Sequence, residues 1–296
     1  MRSLTVCAAA LAPLEREVEA NLAAAAEAVE RAARRGAQVV ALPEMWPTSF
    51  CARVDRALVE ASEEAVRALA RLAVELGVAV VGSGYAEHPS DRPFNRAHIL
   101  GPTAAATPGQ APPGYDKVHL FTPTAEHLAF SPGDSLPGAY ALTWPGDASP
   151  RVRLAPVICY DLRFGELVRH PVRGGAELLV VVAQWPDVRA AAWRALVAGR
   201  GAECQTFVLA ANRAGTATFG RRRSRLHFSG HNLVVGPGGE VIGEGMDSDG
   251  LLVRDIDLGE VKRMQRAVPV RRDERADVYA AHRPRRRRGA GLDESE

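Results

Sequence analysis

Residues 153–183 read RLAPVICYDLRFGELVRHPVRGGAELLVVVA, and this stretch decides the fold. Its two apolar ends, residues 153–158 and 178–183, have the length and composition of buried strands, and residues 164–173 between them predict a short helix. A strand, a helix and a second strand in this order are typical of a sheet with helices packed against it. Cys159 stands where the first strand ends and polar residues begin.

The same alternation of strand and helix extends over most of the 296 residues. The pattern predicts further strands at residues 3–10, 37–42, 78–85, 95–100 and 206–211, and helices at residues 15–35, 54–76 and 190–204. Three short antiparallel strands follow, at residues 232–235, 240–243 and 251–256, joined by turns at residues 237–239 and 248–250. Residues 101–150 are rich in proline and glycine and predict an extended loop region. The arrangement as a whole predicts an α/β protein.

No linker and no internal repeat divides the chain, so we expect one domain over residues 1–270 and an Arg-rich tail over residues 271–296. From Arg271 to Arg288 the tail holds eight arginines and three acids. A charge block of this kind often marks an interaction tail, for nucleic acid among other partners. The nearly neutral chain and the lack of a nucleic-acid-binding motif favour instead a segment that wraps a neighbouring subunit up to about Tyr279 and then frays.

The composition excludes several classes of protein. With 47% hydrophobic and 24% charged residues, the chain is neither disordered nor collagen-like, and it is not a disulfide scaffold. The 37 basic and 35 acidic residues give a net charge of +2, which makes no electrostatic case for nucleic-acid binding. No apolar run reaches the roughly 18 residues of a membrane span.

The four cysteines, at positions 7, 51, 159 and 204, contain no CxxC pair. They therefore form neither a disulfide framework nor a zinc ribbon, and free thiols in a chain of this size indicate a reducing compartment, the cytoplasm. Residues 1–12 loosely imitate a short signal peptide. A buried first strand is the better interpretation, because the basic part is one arginine and Thr5 interrupts the apolar stretch.

Three polar residues stand out as candidates for chemistry. Glu44 follows the predicted strand at 37–42, Cys159 follows the strand at 153–158, and Lys117 lies in the loop region within the sequence GYDKVHLF. Because the carboxyl ends of parallel strands gather at one edge of a sheet, two of the three are positioned to meet there. A cysteine in the turn after a strand exposes its sulfur, and the next backbone N–H points at a developing oxyanion.

Each candidate also has a plainer interpretation. A lone cysteine is most often a buried core thiol, and spacing alone favours that outcome for Cys159. Glu44 could cap a turn, and Lys117 could be a solvated surface lysine. The main chemical alternative is a cysteine–histidine pair, with His119, His127 or His170. Another is zinc ligation by His119 and His127. Their spacing matches no common zinc site. Cys7 and Cys204 are expected in the core, and Cys51 near the same pocket as Glu44.

The order of the motifs decides between these interpretations, because the chain resembles the nitrilase (carbon–nitrogen hydrolase) superfamily. The resemblance covers about residues 3–257 and rests on LPE at 42–44, YDKVHLF at 115–121, VICYDLRF at 157–164, AQWP at 183–186, Trp193 and Glu203 on one helix, ANRAG at 211–215, FSG at 228–230 and PGGE at 237–240. Within the superfamily it is most similar to the omega-amidase branch, on residues 115–121, 126–128, 159–164 and 185–186. The Arg-rich stretch at 221–225 departs from the pattern, since relatives more often carry an acidic or mixed loop there.

This resemblance implies a four-layer αββα sandwich and a Glu–Lys–Cys triad. Glu44 is then the general base, Lys117 the cationic stabiliser and Cys159 the nucleophile. Glu126 matches a further glutamate that supports the lysine, and the N–H of Tyr160 is expected to help hold the oxyanion. The resemblance implies no metal, no organic cofactor and at least a homodimer.

The expected activity is hydrolysis of the C–N bond of a small linear amide through a cysteine thioester, with release of ammonia. An omega-amide is the favoured substrate. A deaminated-glutathione-like compound or an N-carbamoyl amine is the close alternative, and a noncatalytic interaction protein on the same fold is the alternative from another class. Gln184 and Trp185 are expected to line the substrate pocket. Arg163 either pairs with a substrate carboxylate or, as we favour, with Asp161 or Glu166.

Overall fold

The computed structural model describes residues 2–51, 53–89, 92–101, 113–219 and 224–281. Among these residues the strands are β1 (Ser3–Ala9), β2 (Val39–Ala41), β3 (Ala79–Ala86), β4 (Phe94–Leu100), β5 (Gly114–Asp116), β6 (Tyr140–Leu142), β7 (Val152–Ile158), β8 (Leu178–Ala183), β9 (Phe207–Asn212), β10 (Ala214–Phe219), β11 (Ser224–Ser229), β12 (Leu233–Val235), β13 (Val241–Glu244) and β14 (Leu251–Asp257). The helices are α1 (Val18–Arg34), α2 (Arg56–Glu75), α3 (Gly165–Arg173), α4 (Ala190–Cys204), α5 (Gly259–Ala267), α6 (Val270–Asp273) and α7 (Ala276–Ala281).

Two six-stranded sheets form the centre of the molecule, and they share one plan. The first has the order β14-β1-β2-β3-β4-β5 and the second the order β13-β12-β9-β8-β7-β6. In each, three central strands are parallel, β1-β2-β3 and β7-β8-β9, and antiparallel strands flank them. The carboxyl ends of the parallel strands therefore gather at one edge of each sheet.

The two sheets pack face to face, and helices cover both outer surfaces. Apolar side chains of β1, β2 and β3 meet those of β7, β8 and β9 in one core cluster, whereas α1 and α2 enclose a second cluster on the far side of the first sheet. Helices α3 and α4 pack on the second sheet. The layers are helix, sheet, sheet and helix, so the predicted αββα sandwich is confirmed.

Most of the predicted elements occur close to their expected positions, and the differences have local causes. Helix α1 begins at Val18 rather than at residue 15, because Arg16 has a positive φ of 66° and accommodates a turn. Helix α2 begins after Asp55, whose side chain accepts a hydrogen bond from the Leu58 N–H and caps the helix. Of the helices described, none has the length and apolar composition that spanning a lipid bilayer requires.

Other segments differ more from the sequence-based expectation. Residues 101–150 contain the short strands β5 and β6, which complete the far edges of the two sheets. Residues 214–229 contain the hairpin of β10 and β11, which the sequence analysis did not predict, and three helices follow β14. Part of the loop region, residues 102–112, and residues 221–223 of the Arg-rich stretch lie outside the described residues, as does the tail from residue 282 onwards.

Candidate active site

Glu44 lies in a tight turn directly after β2, and its side chain is buried. The neighbouring strand β3 fixes this turn, because the Met45 N–H donates to the Ser83 Oγ at 2.9 Å and the Trp46 N–H donates to the Ser83 carbonyl at 3.0 Å. Met45 has a left-handed φ of 51°, which reverses the chain after Glu44. The turn thus directs the carboxylate of Glu44 into the space between the sheets.

Lys117 follows β5 and is as deeply buried as Glu44. Its ammonium group donates to Glu44 Oε1 at 2.8 Å and to both carboxylate oxygens of Glu126 at 2.8 Å. Its backbone N–H donates to the carbonyl of Asn95 on β4 at 2.9 Å, which fixes the segment beside the sheet. The structure therefore brings together the two carboxylates and the ammonium that the sequence analysis selected.

Glu126 reaches the lysine from a pair of short 3-10 turns, Thr122–Thr124 and Glu126–Leu128. Ala125 joins them in a left-handed conformation with φ at 59°. The Glu126 carboxylate also accepts the Phe121 N–H at 2.7 Å. Glu126 is therefore bound by both the first and the last residue of the segment 117–121. The position matches the supporting role expected for this residue.

Asn95 is a member of the cluster that sequence reasoning missed. Its Nδ2 donates to Glu44 Oε1 at 2.9 Å and to Glu126 Oε1 at 3.3 Å, and the side chain has no solvent exposure. By donating to both carboxylates it reduces the repulsion between two like charges. The available signal was a polar residue at the start of a predicted strand, on the face of the apolar residues Ala97 and Ile99 that point into the core.

Cys159 follows β7, at the start of a 3-10 turn over Cys159–Arg163. It has a positive φ of 42°, an uncommon conformation for a residue with a side chain, and such conformations are frequent at functional sites. The charges of Glu44 and Lys117 act on the Cys159 thiol, and the backbone of Gln184 lies beside it. The thiol is thus joined to the cluster of Glu44, Lys117 and Glu126.

Asp161 connects the cysteine turn to the segment that bears the lysine. Its fully buried carboxylate accepts the Tyr115 hydroxyl at 2.8 Å and the His119 N–H at 2.9 Å. These partners stand two residues before and two residues after Lys117, so Asp161 fixes the lysine segment relative to Cys159. The His119 ring nitrogen also binds Asp161, at 2.8 Å. The side-chain partner of His119 is thus Asp161, which lends no support to the cysteine–histidine alternative at this residue.

Burial and charge shift the pKa values of the cluster in definite directions. Burial raises the pKa of Cys159 well above its usual value, and the negative charge of Glu44 adds to this, against the opposing effect of Lys117. Burial likewise raises the pKa of Glu44, with Lys117 opposing and Glu126 adding. For Lys117, burial alone would lower the pKa, but the charges of Glu126 and Glu44 outweigh it and keep the ammonium protonated. A neutral thiol beside a carboxylate base suits proton transfer between the two.

A small pocket opens onto the thiol of Cys159. Its lining consists of Phe121, Cys159, Tyr160, Arg163, Gln184, Trp185, Pro186 and Arg189. Two guanidinium groups lie over aromatic rings here, that of Arg163 at 4.9 Å from the Trp185 centroid and that of Arg189 at 5.5 Å from the Phe121 centroid. Such stacking holds each cation over an apolar surface.

The substrate-binding candidates occupy different places in this pocket. Trp185 forms a wall, as expected, with its indole N–H donating to the Arg189 carbonyl at 2.9 Å. Gln184 also lines the pocket, but its amide Nε2 donates to the Glu44 carbonyl at 2.8 Å, so its side chain holds the turn that carries Glu44. Arg163 is exposed and lies on Trp185, and the ion pair we favoured, with Asp161 or Glu166, is not present.

Within the part of the chain that the structure describes, no group of three or more histidine, cysteine, aspartate or glutamate side chains is arranged to hold a metal ion. The cysteines other than Cys159 are buried, as expected. Cys51 packs in the turn after Glu44, where its thiol lies 3.4 Å from the Thr48 carbonyl.

Comparisons with known proteins find similar proteins over most of the chain. The model of the carbon-nitrogen hydrolase family matches residues 5–266. A 2-oxoglutaramate amidase of Bacillus subtilis is 33% identical over 244 residues, which cover 82% of this chain and 87% of the amidase. Human omega-amidase NIT2 is 28% identical over 270 residues, covering 88% and 91% of the two chains. The solved structure of an amidase of the nitrilase superfamily from Nesterenkonia AN1 superposes with a TM-score of 0.74 at 26% identity, covering 94% of this chain and 96% of that one.

Proposed function

Because the chain belongs to the carbon-nitrogen hydrolase family, we propose that it hydrolyses a small linear amide with Cys159 as nucleophile, Glu44 as general base and Lys117 as electrostatic stabiliser. Amidases among its relatives support the reaction class. The observation that carries the assignment of residues is the buried cluster of Glu44, Lys117 and Glu126 against a cysteine at the end of β7.

In the first step the Cys159 sulfur attacks the carbonyl carbon of the amide. A C–S bond forms, the thiol proton passes to Glu44, and the carbonyl oxygen becomes an oxyanion. Because Glu44 is buried and its pKa is raised, it is a stronger base than a solvent-exposed carboxylate. Such proton transfer contributes about 10²–10⁴-fold to the rate.

The Lys117 ammonium is already occupied before substrate binds, because its three hydrogen bonds all go to Glu44 and Glu126. When Glu44 takes the thiol proton it becomes neutral and a weaker acceptor. The N–H that pointed at Glu44 is then released toward the oxyanion, together with the backbone N–H of Tyr160. An oxyanion donor is commonly worth about 10²–10³-fold.

Collapse of the tetrahedral intermediate breaks the C–N bond, and Glu44 returns its proton to the departing nitrogen. Ammonia leaves and a thioester remains on Cys159. Water then attacks the thioester carbon while Glu44 takes one of its protons, and the C–S bond breaks as that proton returns to the sulfur. The products are ammonia and a carboxylic acid.

The substrate carries a carboxylate at the end remote from the amide. Arg163 and Arg189 flank the pocket over Cys159, both are exposed, and both stack on aromatic walls. Guanidinium groups are well suited to bind carboxylates. The small pocket volume favours a short chain over a glutathione-sized compound, and the positive rim disfavours a cationic N-carbamoyl amine. An omega-amide of a dicarboxylic acid meets these requirements.

The enzyme acts in the cytoplasm as a homo-oligomer. Four cysteines without a disulfide among the described residues support a reducing compartment. Apolar side chains on the C-terminal segment, Val268, Val270 and Tyr279, are about half exposed, and an apolar surface of this kind is commonly covered by another subunit.

The test is ammonia release from a panel of small amides. We expect turnover of amides such as succinamate and 2-oxoglutaramate, and a kcat/KM at least tenfold lower for butyramide, which has a similar length but no carboxylate. Cys159→Ala should abolish turnover, and Arg163→Met with Arg189→Met should remove the preference for charged amides. The exposed Arg56→Met on α2 is the matched control.

Iodoacetamide should label Cys159 ahead of Cys7 and Cys204, since those two are buried in the core. Retained amide hydrolysis by folded Cys159→Ala protein would exclude this assignment. Equal rates for charged and neutral amides would exclude the proposal that the substrate carries a carboxylate.

A further inference from the structure

Arg213 is a buried arginine that the proposed reaction does not use. It is the first residue after β9, and its side chain is 1% exposed. The guanidinium donates from Nη1 to Gln184 Oε1 at 2.8 Å and to Ser49 Oγ at 3.0 Å, and from Nη2 to the Pro13 carbonyl at 3.1 Å. It therefore joins the loops that follow β1, β2 and β8 at the edge of the sheets where Glu44 lies.

Among the described residues no carboxylate forms an ion pair with Arg213, whose guanidinium lies over the Phe228 ring at 5.0 Å from its centroid. Its acceptors are a hydroxyl, an amide oxygen and two backbone carbonyls, all of them neutral. Burial lowers its pKa to about 10, so that the group remains protonated at neutral pH. A buried cation without a carboxylate partner costs stability, and a purely structural role in this place does not require a charged side chain.

Gln184 transmits the effect of Arg213 to the catalytic turn. A guanidinium can only donate hydrogen bonds, so the Gln184 side chain must present Oε1 to Arg213. Its Nε2 then faces the Glu44 carbonyl, to which it donates at 2.8 Å. The Gln184 N–H donates to Glu44 Oε2 at 3.2 Å. One arginine thus fixes the amide orientation that holds Glu44 at both its carbonyl and its carboxylate.

The net charge of the buried cluster also points to Arg213. Glu44 and Glu126 carry two negative charges and Lys117 one positive charge, so the buried cluster has a net charge of −1. One hydrogen-bonded side chain separates Arg213 from Glu44. Its positive charge offsets the second carboxylate and favours loss of the proton that Glu44 and Cys159 exchange.

We propose that Arg213 is a positioning residue for the catalytic base, acting through Gln184, and that its charge offsets the second carboxylate of the site. The proposal rests on the proposed function, in which Glu44 accepts the thiol proton. It assigns a role to the arginine of the sequence ANRAG, which the motif comparison alone leaves without one.

The test compares Arg213→Met with wild type by two measurements. Steady-state hydrolysis should show a kcat that is about 10- to 100-fold lower, with KM changed less than threefold, because the base is misplaced and the substrate pocket is intact. The rate of Cys159 alkylation by iodoacetamide, followed against pH, needs no substrate. Its midpoint should move upward by about 0.5–1 pH unit, since the lost cation no longer favours the ionised pair.

Three variants separate this role from general support of the fold. Arg213→Lys keeps the charge, so the pH midpoint of Cys159 alkylation should remain that of wild type. Its kcat should fall at least threefold, because lysine cannot make the same hydrogen bonds. This variant is the test should Arg213→Met fail to fold. Arg213→Met added to Gln184→Leu should lower kcat less than threefold further, because the connection is already broken. Ser49→Gly removes another acceptor of Arg213 in a left-handed position that suits glycine, and should keep kcat within threefold.

An unchanged alkylation midpoint in Arg213→Met, fully multiplicative losses with Gln184→Leu, or an unchanged kcat in Arg213→Lys would each overturn the proposal. Failure of the proposed function has a different signature, because wild-type protein would then release no ammonia from any amide. The alkylation profile would still decide the role of Arg213 in that case.

Discussion

Glu44 is bound to the Lys117 ammonium, which also binds a second carboxylate, that of Glu126, and this arrangement controls the pH at which Glu44 can act. Burial raises its pKa, Lys117 opposes the rise, and Glu126 adds to it. A general base must be deprotonated, so activity is lost as the pH falls through its pKa. The midpoint of the acidic limb in the pH profile of kcat/KM should therefore lie above about 4.3, the ordinary pKa of glutamate.

Glu126→Gln is predicted to move this limb to lower pH, by about one unit, because one source of the raised pKa of Glu44 is removed. The overall rate should fall at the same time, since Lys117 loses an ion pair. The measurement is kcat/KM against pH, and Glu166→Gln, an exposed carboxylate on α3, is the control. A limb that stays in place or moves upward would contradict the electrostatic account.

At the scale of the elements, β5 is a strand of three residues that carries Lys117 at its end. Gly133 packs against it, with its N–H donating to the Lys117 carbonyl at 2.8 Å. A Cβ at Gly133 would collide with the carbonyl of Asp116, the last residue of β5. The position of the lysine therefore depends on a glycine in a neighbouring loop.

Gly133→Ala is predicted to displace the end of β5, to lower the free energy of unfolding by about 1–3 kcal/mol and to reduce kcat. Urea denaturation and steady-state kinetics measure the two effects. Gly199→Ala is the matched control, because a Cβ in that part of α4 meets nothing within 4 Å. It should stabilise the protein by about 0.5–1 kcal/mol. Wild-type kinetics in Gly133→Ala would show that the lysine is held by other contacts.

The sequence predicted the elements with strong periodicity and missed those formed by long-range pairing. Helix α4 begins and ends where expected, since its alanine-rich composition favours a helix without help from neighbours. Strands β5 and β6 are three residues each and exist because β4 and β7 provide an edge to pair with. Short strands of this kind have no periodicity of their own to detect.

The candidate site shows the same division. Glu44, Lys117 and Cys159 were selected by strand ends, motif order and family resemblance, and they lie together. Asn95, Asp161 and Arg213 hold the site through hydrogen bonds to segments 31 to 200 residues away. No local pattern of a single sequence encodes contacts of that separation.

At the scale of the whole molecule, the tail and the assembly are connected. The segment from α5 to α7 has exposed apolar side chains, among them Val268 and Val278, next to an exposed arginine-rich surface. If a neighbouring subunit covers this segment, assembly depends on residues up to about Tyr279 and not on the residues that follow.

Deletion of residues 283–296 is therefore predicted to leave amide hydrolysis almost unchanged. Light scattering at micromolar concentration should give a homodimer or a larger oligomer for both the full chain and the shortened one. Only weak, salt-sensitive nucleic-acid binding, if any is present, should disappear with the tail. A monomer in both samples would contradict the assembly, and loss of activity in a folded shortened enzyme would contradict the assignment of the tail.

The pairing of β1 with β14 also bears on how the first sheet is completed during synthesis. Ser3 pairs with Asp257, so the first sheet gains its last strand only after almost the whole chain has emerged from the ribosome. Closing so long a loop slows folding, as for other topologies of high contact order. Glu44 and Lys117 come from that sheet, whereas Cys159 comes from the other. We therefore expect the Cys159 thiol to meet its base only after the two sheets have packed together, late in folding.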